Sequence, residues 1–500
     1  MTAADMIATR RLVIVGNGMA GSRLVHELRR RDLSSRWQVT VIGDEPHAAY
    51  NRVLLSNVLA GTASASSIHL AAPKPSSDDG VEVRTGVAVV DIDRVARVVT
   101  TDDGRQIPYD VLVLATGSTA VVPPIDGLRT QDGSLVEGAA VFRTLDDCDR
   151  ILELARNATR AVVLGGGLLG LEAARGLAGR GLTIDLVHRA SFLMERQLDG
   201  GAGAVLARTV GALGVQVYVD AVAARVHAEP EFTAIELDTG TVLAADLLVV
   251  ACGVAPETGL ARQSGLDVDL GVVVDDSMRT SDPHIYAIGE CSQHAGQVYG
   301  LVAPAWEQAS VLGDVLSGDP GAARYGGSRL VTRLKAAGVE LAAMGEVDVD
   351  VASSLDGGVE VLQFVDPVRG TYKKVVIRDG RITGAILLGD VTTAGPVMQL
   401  FDRGGVVPPD RLTLLFAGMG SSDATETPAR IPDRATVCRC NGVTKGAITA
   451  CWLAGARTAE DVALRTRATT GCGTCRDTVE GIVDWLAASA TEPRTLSQRV

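Results

Sequence analysis

Short apolar runs and segments of helical spacing alternate along the first part of the chain. Residues 11–15 and 38–42 are apolar runs, and the apolar positions of 20–28 between them recur at helical spacing. The same order of run, helical segment and run returns at 161–187. Two strand–helix–strand units of this kind predict an α/β protein with two Rossmann-like dinucleotide-binding domains.

The pattern changes in the second half of the chain. Apolar and polar residues alternate from 322 to 390, which predicts β-hairpins, with a turn at Asp379-Gly380. Residues 421–434 are rich in Ser, Thr, Pro, Asp and Ala, which is typical of a linker. The predicted fold class therefore includes a small α+β third domain. After the linker it also includes a small helical module with several cysteines.

Charge and composition exclude some classes of function. The net charge of −13 argues against nucleic acid, because neutralising phosphates requires a basic face. No apolar run approaches the roughly 18 residues that indicate a membrane span. Arg10-Arg11 before an apolar run could belong to a twin-arginine export signal, but that run ends in a glycine loop and is better explained as a first strand. We therefore expect a cytoplasmic enzyme.

A glycine loop follows the first apolar run. Gly16, Gly18 and Gly21 have the G-x-G-x-x-G spacing, in which glycines let the backbone turn sharply and approach a pyrophosphate at a helix N-terminus. Asp44 and Glu45 follow the second run, where an acid accepts hydrogen bonds from ribose hydroxyls. The spacing alone is a weak signal, but here the strand, helix and acid all occur in the required order.

The second unit has a glycine loop of its own. Its candidate nucleotide-binding residues are Gly165, Gly167, Gly170 and, inside the following helix, Glu172. At the end of the next strand, an acid favours NADH and an arginine favours NADPH. His188 and Arg189 stand there and could hold a 2′-phosphate, which favours NADPH. Alternatively, Arg189 is only a solvated residue at the edge of the domain.

Two further segments resemble the paired signatures of the pyridine nucleotide–disulfide reductase superfamily. They are 114–118, which contains Thr116 and Gly117, and 285–291, which contains Gly289 and Glu290. The resemblance implies a glutathione-reductase-like fold, with FAD at the first glycine loop and NADH or NADPH at the second. Most members have Asp where this chain has Glu290, which carries the same charge on a longer side chain.

The redox cysteines of disulfide reductases are missing after the first unit. Cys148 is the first cysteine of the chain and lies far past that position. Cys252 lies in an apolar run and is expected to be a small core residue, and Cys291 has no near partner in sequence. Electrons from the flavin are therefore expected to leave by another route.

Two close pairs of cysteines lie near the C-terminal end of the sequence. They are Cys438-x-Cys440 and Cys472-x-x-Cys475, separated by a helical stretch at 445–465 that can bring them together. Four thiolates can hold zinc or an iron–sulfur cluster, and zinc ribbons usually use two C-x-x-C pairs. The sequence around both pairs resembles bacterioferritin-associated ferredoxin, which implies a [2Fe–2S] cluster.

The order of all these parts resembles the reductase portion of the assimilatory NAD(P)H nitrite and nitrate reductases over nearly the whole chain. The phrases that carry the resemblance are AYNRVLLS at 49–56, LMERQLD at 193–199, YGLVAPAWEQ at 299–308 and TRLKAAG at 332–338. The resemblance implies that Arg52 lies near the FAD diphosphate, that Trp306 and Glu307 border the isoalloxazine, and that Gly253 belongs to the nicotinamide site. A plain core role for Trp306 stays open.

The resemblance also divides the chain into domains. The expected divisions are two FAD-binding parts at 1–125 and 251–320, an NAD(P)H-binding domain at 126–250, an α+β interface domain at 321–395, a linker at 396–434, a [2Fe–2S] module at 435–488 and a tail at 489–500.

The function that the resemblance implies is electron transfer from NAD(P)H through FAD to the cluster. The large nitrite reductase subunit continues into a sirohaem domain, whereas this sequence ends at 500. That favours the electron-transfer subunit of an assimilatory nitrate reductase, with a molybdopterin-containing catalytic subunit as its partner. One alternative is the reductase component of a split nitrite reductase. A second is a stand-alone ferredoxin or rubredoxin reductase, although Asn57 counts against this alternative. A third is a non-enzymatic iron-handling or redox-sensing module.

Overall fold

The computed structural model describes residues 9–31, 33, 36–70, 80–318, 321, 323–334, 336, 338–418, 428, 431–438, 441–469 and 475–491. The chain divides into two units, Met1–Leu415 and Phe416–Val500. Among the helices in the described ranges, none has the length and apolar content that crossing a membrane needs.

Residues 10–120 form a strand–helix–strand unit that leads into a small antiparallel sheet. The elements are β1 (Arg10–Val15), α1 (Met19–Arg30), β2 (Trp37–Gly43), α2 (Leu55–Ala60), β3 (Val81–Thr85), β4 (Val89–Asp93), β5 (Val98–Thr101), β6 (Gln106–Pro108), β7 (Val111–Leu114) and β8 (Ser118–Ala120). In a parallel sheet, Val15 of β1 pairs with both Ile42 of β2 and Leu114 of β7. The carboxyl ends of the three strands therefore meet at one edge, where dinucleotides bind in such folds.

Residues 139–256 repeat this design. The elements are β9 (Ala139–Val141), α3 (Leu145–Ala155), β10 (Arg160–Leu164), α4 (Leu168–Ala178), β11 (Thr183–Val187), α5 (Gly200–Ala212), β12 (Val215–Tyr218), β13 (Ala223–Ala228), β14 (Phe232–Leu237), β15 (Val242–Ala244), β16 (Leu247–Val250) and β17 (Val254–Pro256). The parallel sheet has the order β12-β11-β10-β16-β9. Leu164 of β10 pairs with Val187 and Val250, so the second glycine loop leaves its sheet as the first one does.

Residues 259–317 return to the first sheet. The elements are α6 (Gly259–Gln263), β18 (Val272–Val274), β19 (Ile285–Ala287), β20 (Ser292–His294), β21 (Gln297–Val298) and α7 (Val302–Ser317). Strand β19 pairs with β7 and completes the order β19-β7-β1-β2-β3. Helix α7 packs against α1, and Arg31 donates to Asp314 at 2.7 Å. The predicted α/β fold with two dinucleotide-binding domains is confirmed.

The region of predicted hairpins is a five-stranded antiparallel sheet with one helix. The elements are β22 (Val331–Leu334), β23 (Leu341–Gly345), β24 (Glu360–Asp366), β25 (Thr371–Arg378), β26 (Arg381–Leu388) and α8 (Ala394–Arg403). Between β25 and β26, Asp379 and Gly380 have φ values of 50° and 68°, the positive pair that a type I′ turn requires. The predicted turn is confirmed.

The structure differs from the predicted linker at 396–434 in its first part. Helix α8 occupies the start of this segment, with Val397 and Phe401 buried. A 3₁₀ turn at Arg411–Leu414 then leads to Leu415, whose carbonyl accepts a hydrogen bond from Lys373 at 2.5 Å. The i, i+4 spacing of the two apolar residues was the available signal for this helix. Residues 419–427, 429 and 430 lie outside the described part.

Asp390→Ala is expected to destabilise the first unit. Lys373 is 0 % exposed and donates to Asp390 at 2.5 Å, so the substitution removes the carboxylate that faces a buried ammonium. Because Asp390 itself is 41 % exposed, we expect a loss of about 2 kcal/mol, below the range for fully buried pairs. Thermal denaturation measures it. Asp126→Ala, which breaks an exposed pair with Arg225, is the matched control and should lose well under about 1 kcal/mol.

The effect of Asp390→Ala should depend on pH in a defined direction. Burial alone would raise the pKa of Asp390, but hydrogen bonds from Lys373 and Thr392 lower it to about 2. The stabilisation is therefore complete above the ordinary carboxyl pKa of about 4 and is lost as the pH falls towards 2. A stability difference that grew with acidification would contradict this assignment.

In the part of the second unit that the structure describes, the elements form a short hairpin and three helices. The elements are β27 (Thr436–Cys438), β28 (Val443–Thr444), α9 (Lys445–Leu453), α10 (Ala459–Thr466) and α11 (Arg476–Thr491). The stretch predicted as helical at 445–465 is two helices. Gly455, with φ of 99°, lies between them, and Thr458 and Asp461 form a capping box that starts α10.

Candidate functional site

The first glycine loop has no room for side chains at two of its three glycines. Gly16 has φ of 115°, and a Cβ there would lie 2.1 Å from the carbonyl oxygen of Ala115. A Cβ on Gly21 would lie 2.1 Å from the carbonyl oxygen of Gly16. At Gly18, which caps α1, a Cβ would meet nothing within 4 Å and would fill open space at the helix N-terminus. The loop therefore offers the cradle that a pyrophosphate needs.

The acids after β2 have different surroundings. Asp44 is exposed and accepts a hydrogen bond from the backbone of Glu45 at 3.0 Å. Glu45 accepts from the hydroxyl of Tyr50 at 2.6 Å and pairs with Arg52. The guanidinium carbon of Arg52 lies 5.2 Å from the centroid of the Tyr50 ring. Glu45 therefore fixes the direction of Arg52, and Asp44 is the acid that faces solvent at the end of the strand.

Glu290 belongs to a half-buried ionic cluster that the sequence analysis did not foresee. Its Oε2 accepts from the hydroxyl of Ser118 at 2.6 Å and pairs with Arg143. Arg143 also donates to the hydroxyl of Ser118 at 2.6 Å. This network ties Glu290 to Ser118 at the start of β8 and to Arg143 just after β9.

A buried amide beside Glu290 fits a bound flavin. Gly289 has φ of 83°, and its backbone N–H donates to Oε1 of Gln308 at 2.7 Å. Gln308 is 1 % exposed, and its Nε2 has no hydrogen-bond partner among the described residues. A buried donor without an acceptor is costly, and a polar ring atom of FAD can supply one. Gln308 thus joins the candidate FAD site, where the sequence analysis gave it no role.

Trp306 and Glu307 follow one another on α7 but differ in exposure. Trp306 is buried against Met19, the residue after Gly18, and the guanidinium carbon of Arg23 lies 5.3 Å from its ring centroid. Glu307 is exposed and accepts a hydrogen bond from Ser328. Trp306 therefore lies next to the first glycine loop. Its predicted contact with the isoalloxazine stays a prediction.

Thr116 and Gly117 connect β7 to the strand that crosses between the two domains. The hydroxyl of Thr116 donates to the carbonyl of Glu257 at 2.9 Å, and Gly117 has φ of 73°. Strand β8 pairs with β17, so this connection links the two dinucleotide-binding domains.

The second glycine loop repeats the geometry of the first. Gly165 has φ of 109°, and a Cβ there would lie 2.2 Å from the carbonyl oxygen of Ala251. A Cβ on Gly170 would lie 1.8 Å from the carbonyl oxygen of Gly165, whereas one on Gly167 would meet nothing within 4 Å. Gly253, with φ of 100°, follows β16 beside the loop, and Glu172 is buried in α4. The loop fits a second dinucleotide.

His188 makes two hydrogen-bond contacts within the protein. Its Nδ1 accepts from the backbone N–H of Gly166 at 3.0 Å, so the proton of a neutral ring is on Nε2, which lies 3.0 Å from a carboxylate oxygen of Glu195. Both ring nitrogens are engaged within the protein, and the predicted contact of His188 with a 2′-phosphate stays a prediction. Arg189 is exposed and is the other candidate of the pair.

The three cysteines of the first unit are free, and none has a cysteine partner. Cys148 and Cys291 are buried. Cys252 was expected to be a core residue, but β16 ends at Val250 and leaves Cys252 exposed beyond the strand. Its sulfur lies 3.6 Å from the carbonyl oxygen of Leu164. Although the residue as a whole is exposed, desolvation of its sulfur raises the pKa of the thiol to about 11, so it is a poor nucleophile at neutral pH.

In the second unit, the structure brings together two of the four candidate cluster cysteines. Cys438 ends β27, Cys475 precedes α11, and both are buried. A hydrogen bond from the Cys475 thiol and others from Thr469 and Asn441 lower the pKa of Cys438 to about 7. Asn441 donates to the Cys438 sulfur at 3.7 Å and to the carbonyl of Arg467 at 2.6 Å. The lowered pKa of Cys438 fits a thiolate ligand of an iron–sulfur cluster. Cys440 and Cys472 lie outside the described residues.

Comparison with known proteins identifies the family. Residues 10–309 match the pyridine nucleotide-disulphide oxidoreductase family. The chain belongs to this family. Residues 331–404 of this oxidoreductase match the rubredoxin NAD+ reductase C-terminal domain, and residues 436–485 match the BFD-like [2Fe-2S] binding domain. The oxidoreductase is therefore FAD-dependent, uses NAD(P)H and carries a [2Fe–2S] module, as the sequence predicted.

Two longer proteins are similar to this oxidoreductase over most of its length. The nitrite reductase [NAD(P)H] of Bacillus subtilis is 36% identical over 475 residues, which are 95% of this chain and 57% of the relative. The assimilatory nitrate reductase electron transfer subunit of the same organism is 34% identical over 489 residues, 96% of this chain and 60% of the relative. The chain spans less than two thirds of either relative.

A solved structure supports the fold of the first unit. In the covalent putidaredoxin reductase–putidaredoxin complex, one chain aligns with a TM-score of 0.71 at 25% identity. The alignment covers 80% of this oxidoreductase and 95% of that chain.

Proposed function

We propose that this oxidoreductase delivers electrons from NAD(P)H, through FAD and the [2Fe–2S] cluster, to a separate molybdopterin-containing subunit that reduces nitrate. The observation that carries the proposal is the location of the thiols. The flavoprotein unit holds three unpaired cysteines, whereas Cys438 and Cys475 approach one another in the second unit. Electrons therefore have an exit through the module and none through a flavin-adjacent disulfide.

FAD and the cluster supply the redox chemistry, and the residues of the chain hold and orient them. When bound, FAD accepts a hydride from the nicotinamide and the cluster takes electrons one at a time. The glycine loops position the two dinucleotides, and no side chain need act as nucleophile or general base. Arg52, whose direction is set by Glu45, is assigned to the FAD diphosphate, and Arg143 holds Glu290 in place. Gln308 offers its buried amide to the ring.

The nitrate partner rests on the name of one relative, the assimilatory nitrate reductase electron transfer subunit. A second candidate has comparable support, because the nitrite reductase [NAD(P)H] of the same organism is slightly more identical to this chain. In that case the electrons would go to a nitrite-reducing component. The two candidates share the route through FAD and the cluster and differ only in the final acceptor.

An exposed apolar surface on the module supports a protein as acceptor. Leu453 at the end of α9 and Leu464 in α10 are 80 % and 85 % exposed. Arg465 donates to the carbonyl of Ala454 at 2.8 Å, which brings the ends of the two helices together. The end of α10 also carries the Arg467 carbonyl that Asn441 binds beside Cys438. The two leucines therefore lie at the end of the module nearest a cluster cysteine.

Leu453→Ser combined with Leu464→Ser should slow electron delivery to the partner roughly tenfold, because exposed apolar anchors often dominate docking. Iron content, FAD content and ferricyanide reduction should not change. Val368→Ser, at a residue that is 81 % exposed in the first unit, is the control and should leave delivery unaffected. Equal rates for the double variant and the native protein would contradict docking at this surface.

Reconstitution tests the proposed function. The purified chain is mixed with a molybdopterin nitrate reductase subunit, and nitrite formation is followed with NADH or NADPH as the only donor. We expect nitrate reduction that stops when residues 435–500 are deleted. Undiminished nitrate reduction after that deletion would contradict the route. Electron delivery to a nitrite-reducing component instead would favour the second candidate.

A further inference from the structure

The nicotinamide domain lacks an acid at the position where dinucleotide folds usually have one. In these folds, a carboxylate at the end of the second strand accepts hydrogen bonds from the adenosine ribose. Strand β11 ends at Val187, and the next residues are His188 and Arg189. The ribose therefore needs an acceptor from elsewhere in the chain.

A hydrogen bond to His188 holds the carboxylate of Glu195 near the end of β11. The ring of His188 is anchored on one side by the backbone N–H of Gly166, inside the glycine loop, and on the other side its Nε2 donates to Glu195 at 3.0 Å. The His188 side chain is 7 % exposed and that of Glu195 is 33 % exposed. A buried imidazole thus holds a partly exposed carboxylate beside the end of β11.

The backbone keeps Glu195 at the loop as well. The N–H of Met194 donates to the carbonyl of Gly166 at 3.0 Å. A Cβ on Gly166 would lie 2.5 Å from Leu193, so the turn that carries Glu195 packs directly on the loop. The side chain of Glu195 is therefore held by His188, and its neighbour Met194 is bonded to Gly166, the glycine that also binds His188.

Arg189 is exposed directly after the end of β11. Desolvation raises the pKa of the Cys252 thiol, and the positive charge of Arg189 acts against that rise. Cys252 follows β16, and β10 with its glycine loop lies between β16 and β11. An exposed cation on the strand next to β10 and its glycine loop suits the diphosphate, which NADH and NADPH share.

We propose that Glu195, positioned by His188, is the acid that binds the adenosine ribose hydroxyls and makes this oxidoreductase prefer NADH. A carboxylate beside the ribose accepts from its hydroxyls and repels a 2′-phosphate. In place of the NADPH preference expected from His188 and Arg189, the imidazole holds Glu195, and the guanidinium is assigned to the diphosphate that both nucleotides share.

The test compares kcat/KM for NADH and NADPH with ferricyanide as acceptor, so it needs neither the cluster nor a partner protein. The native protein should prefer NADH at least about tenfold. Glu195→Gln should lower kcat/KM for NADH roughly tenfold, mainly through KM, and leave that for NADPH unchanged or higher. His188→Ala should shift the ratio in the same direction. Glu153→Gln, at an exposed glutamate of α3, is the matched control and should change neither value.

Arg189→Gln completes the test, because the shared diphosphate predicts similar losses with both nucleotides. A native preference for NADPH, an equal loss with both nucleotides in Glu195→Gln, or a loss confined to NADPH in Arg189→Gln would each overturn the proposal. FAD absorbance confirms that each variant is folded. None of these outcomes depends on whether nitrate or nitrite is the final acceptor.

Discussion

Cys475→Ser is expected to remove the [2Fe–2S] cluster and to leave FAD in place. Iron should fall from about two atoms per chain to nearly none, because the cluster needs four thiolates. The residues assigned to FAD all lie in the first unit, so the flavin spectrum and ferricyanide reduction should stay close to native values. Reduction of a protein acceptor that depends on the cluster should fall at least about a hundredfold, since one-electron exit is lost.

Cys451→Ser is the matched control for this experiment. Cys451 lies in α9 of the same unit, outside the two cysteine pairs, and should be replaceable with retention of iron. Metal analysis and visible absorbance measure the iron content and the cluster of the two variants. Full iron in Cys475→Ser, or one zinc and no iron in the native protein, would remove the proposed exit route.

Gly170→Ala should abolish most of the reaction with NADH and NADPH alike. The added Cβ would lie 1.8 Å from the carbonyl oxygen of Gly165, so the start of α4 must move away from the loop. A displacement of this size at a positioning element costs about a hundredfold in kcat/KM. FAD content should not change, and chemical reduction by dithionite should still reduce the flavin.

Gly211→Ala controls for the addition of a methyl group in the same domain. Gly211 lies in α5, where a Cβ would meet nothing within 4 Å, and alanine is the better helix former. Its kinetics should match those of the native protein. Native kcat/KM in Gly170→Ala would show that the second loop does not hold the nicotinamide nucleotide.

The parts that the sequence predicted well are those with local spacing rules. Gly16 and Gly165 adopt strongly positive φ angles because the G-x-G-x-x-G loop requires them at that place in the chain. The Asp379-Gly380 turn follows from its dipeptide in the same way. For such features the relevant contacts lie within a few residues, so the sequence contains the whole signal.

The residues that the sequence analysis missed have contact partners that are far away in the sequence. Arg143 pairs with Glu290, which is 147 positions away in the sequence, and the local sequence around either residue does not predict the contact. Gln308 receives its role from Gly289, which belongs to another element. The two partners of His188, Gly166 and Glu195, could not be read from the sequence, because they become neighbours only after the glycine loop and the turn at 193–196 have folded together.

The most direct test of the central claim is rapid-freeze electron paramagnetic resonance after anaerobic mixing with NADH. The claim is that electrons pass from the nicotinamide through FAD to the cluster. We expect the signal of the reduced cluster to appear after flavin reduction and before any acceptor is added, and to be absent in Cys475→Ser. In Gly170→Ala it should appear only after dithionite. A native protein whose flavin is fully reduced by NADH while its cluster stays oxidised would contradict the account.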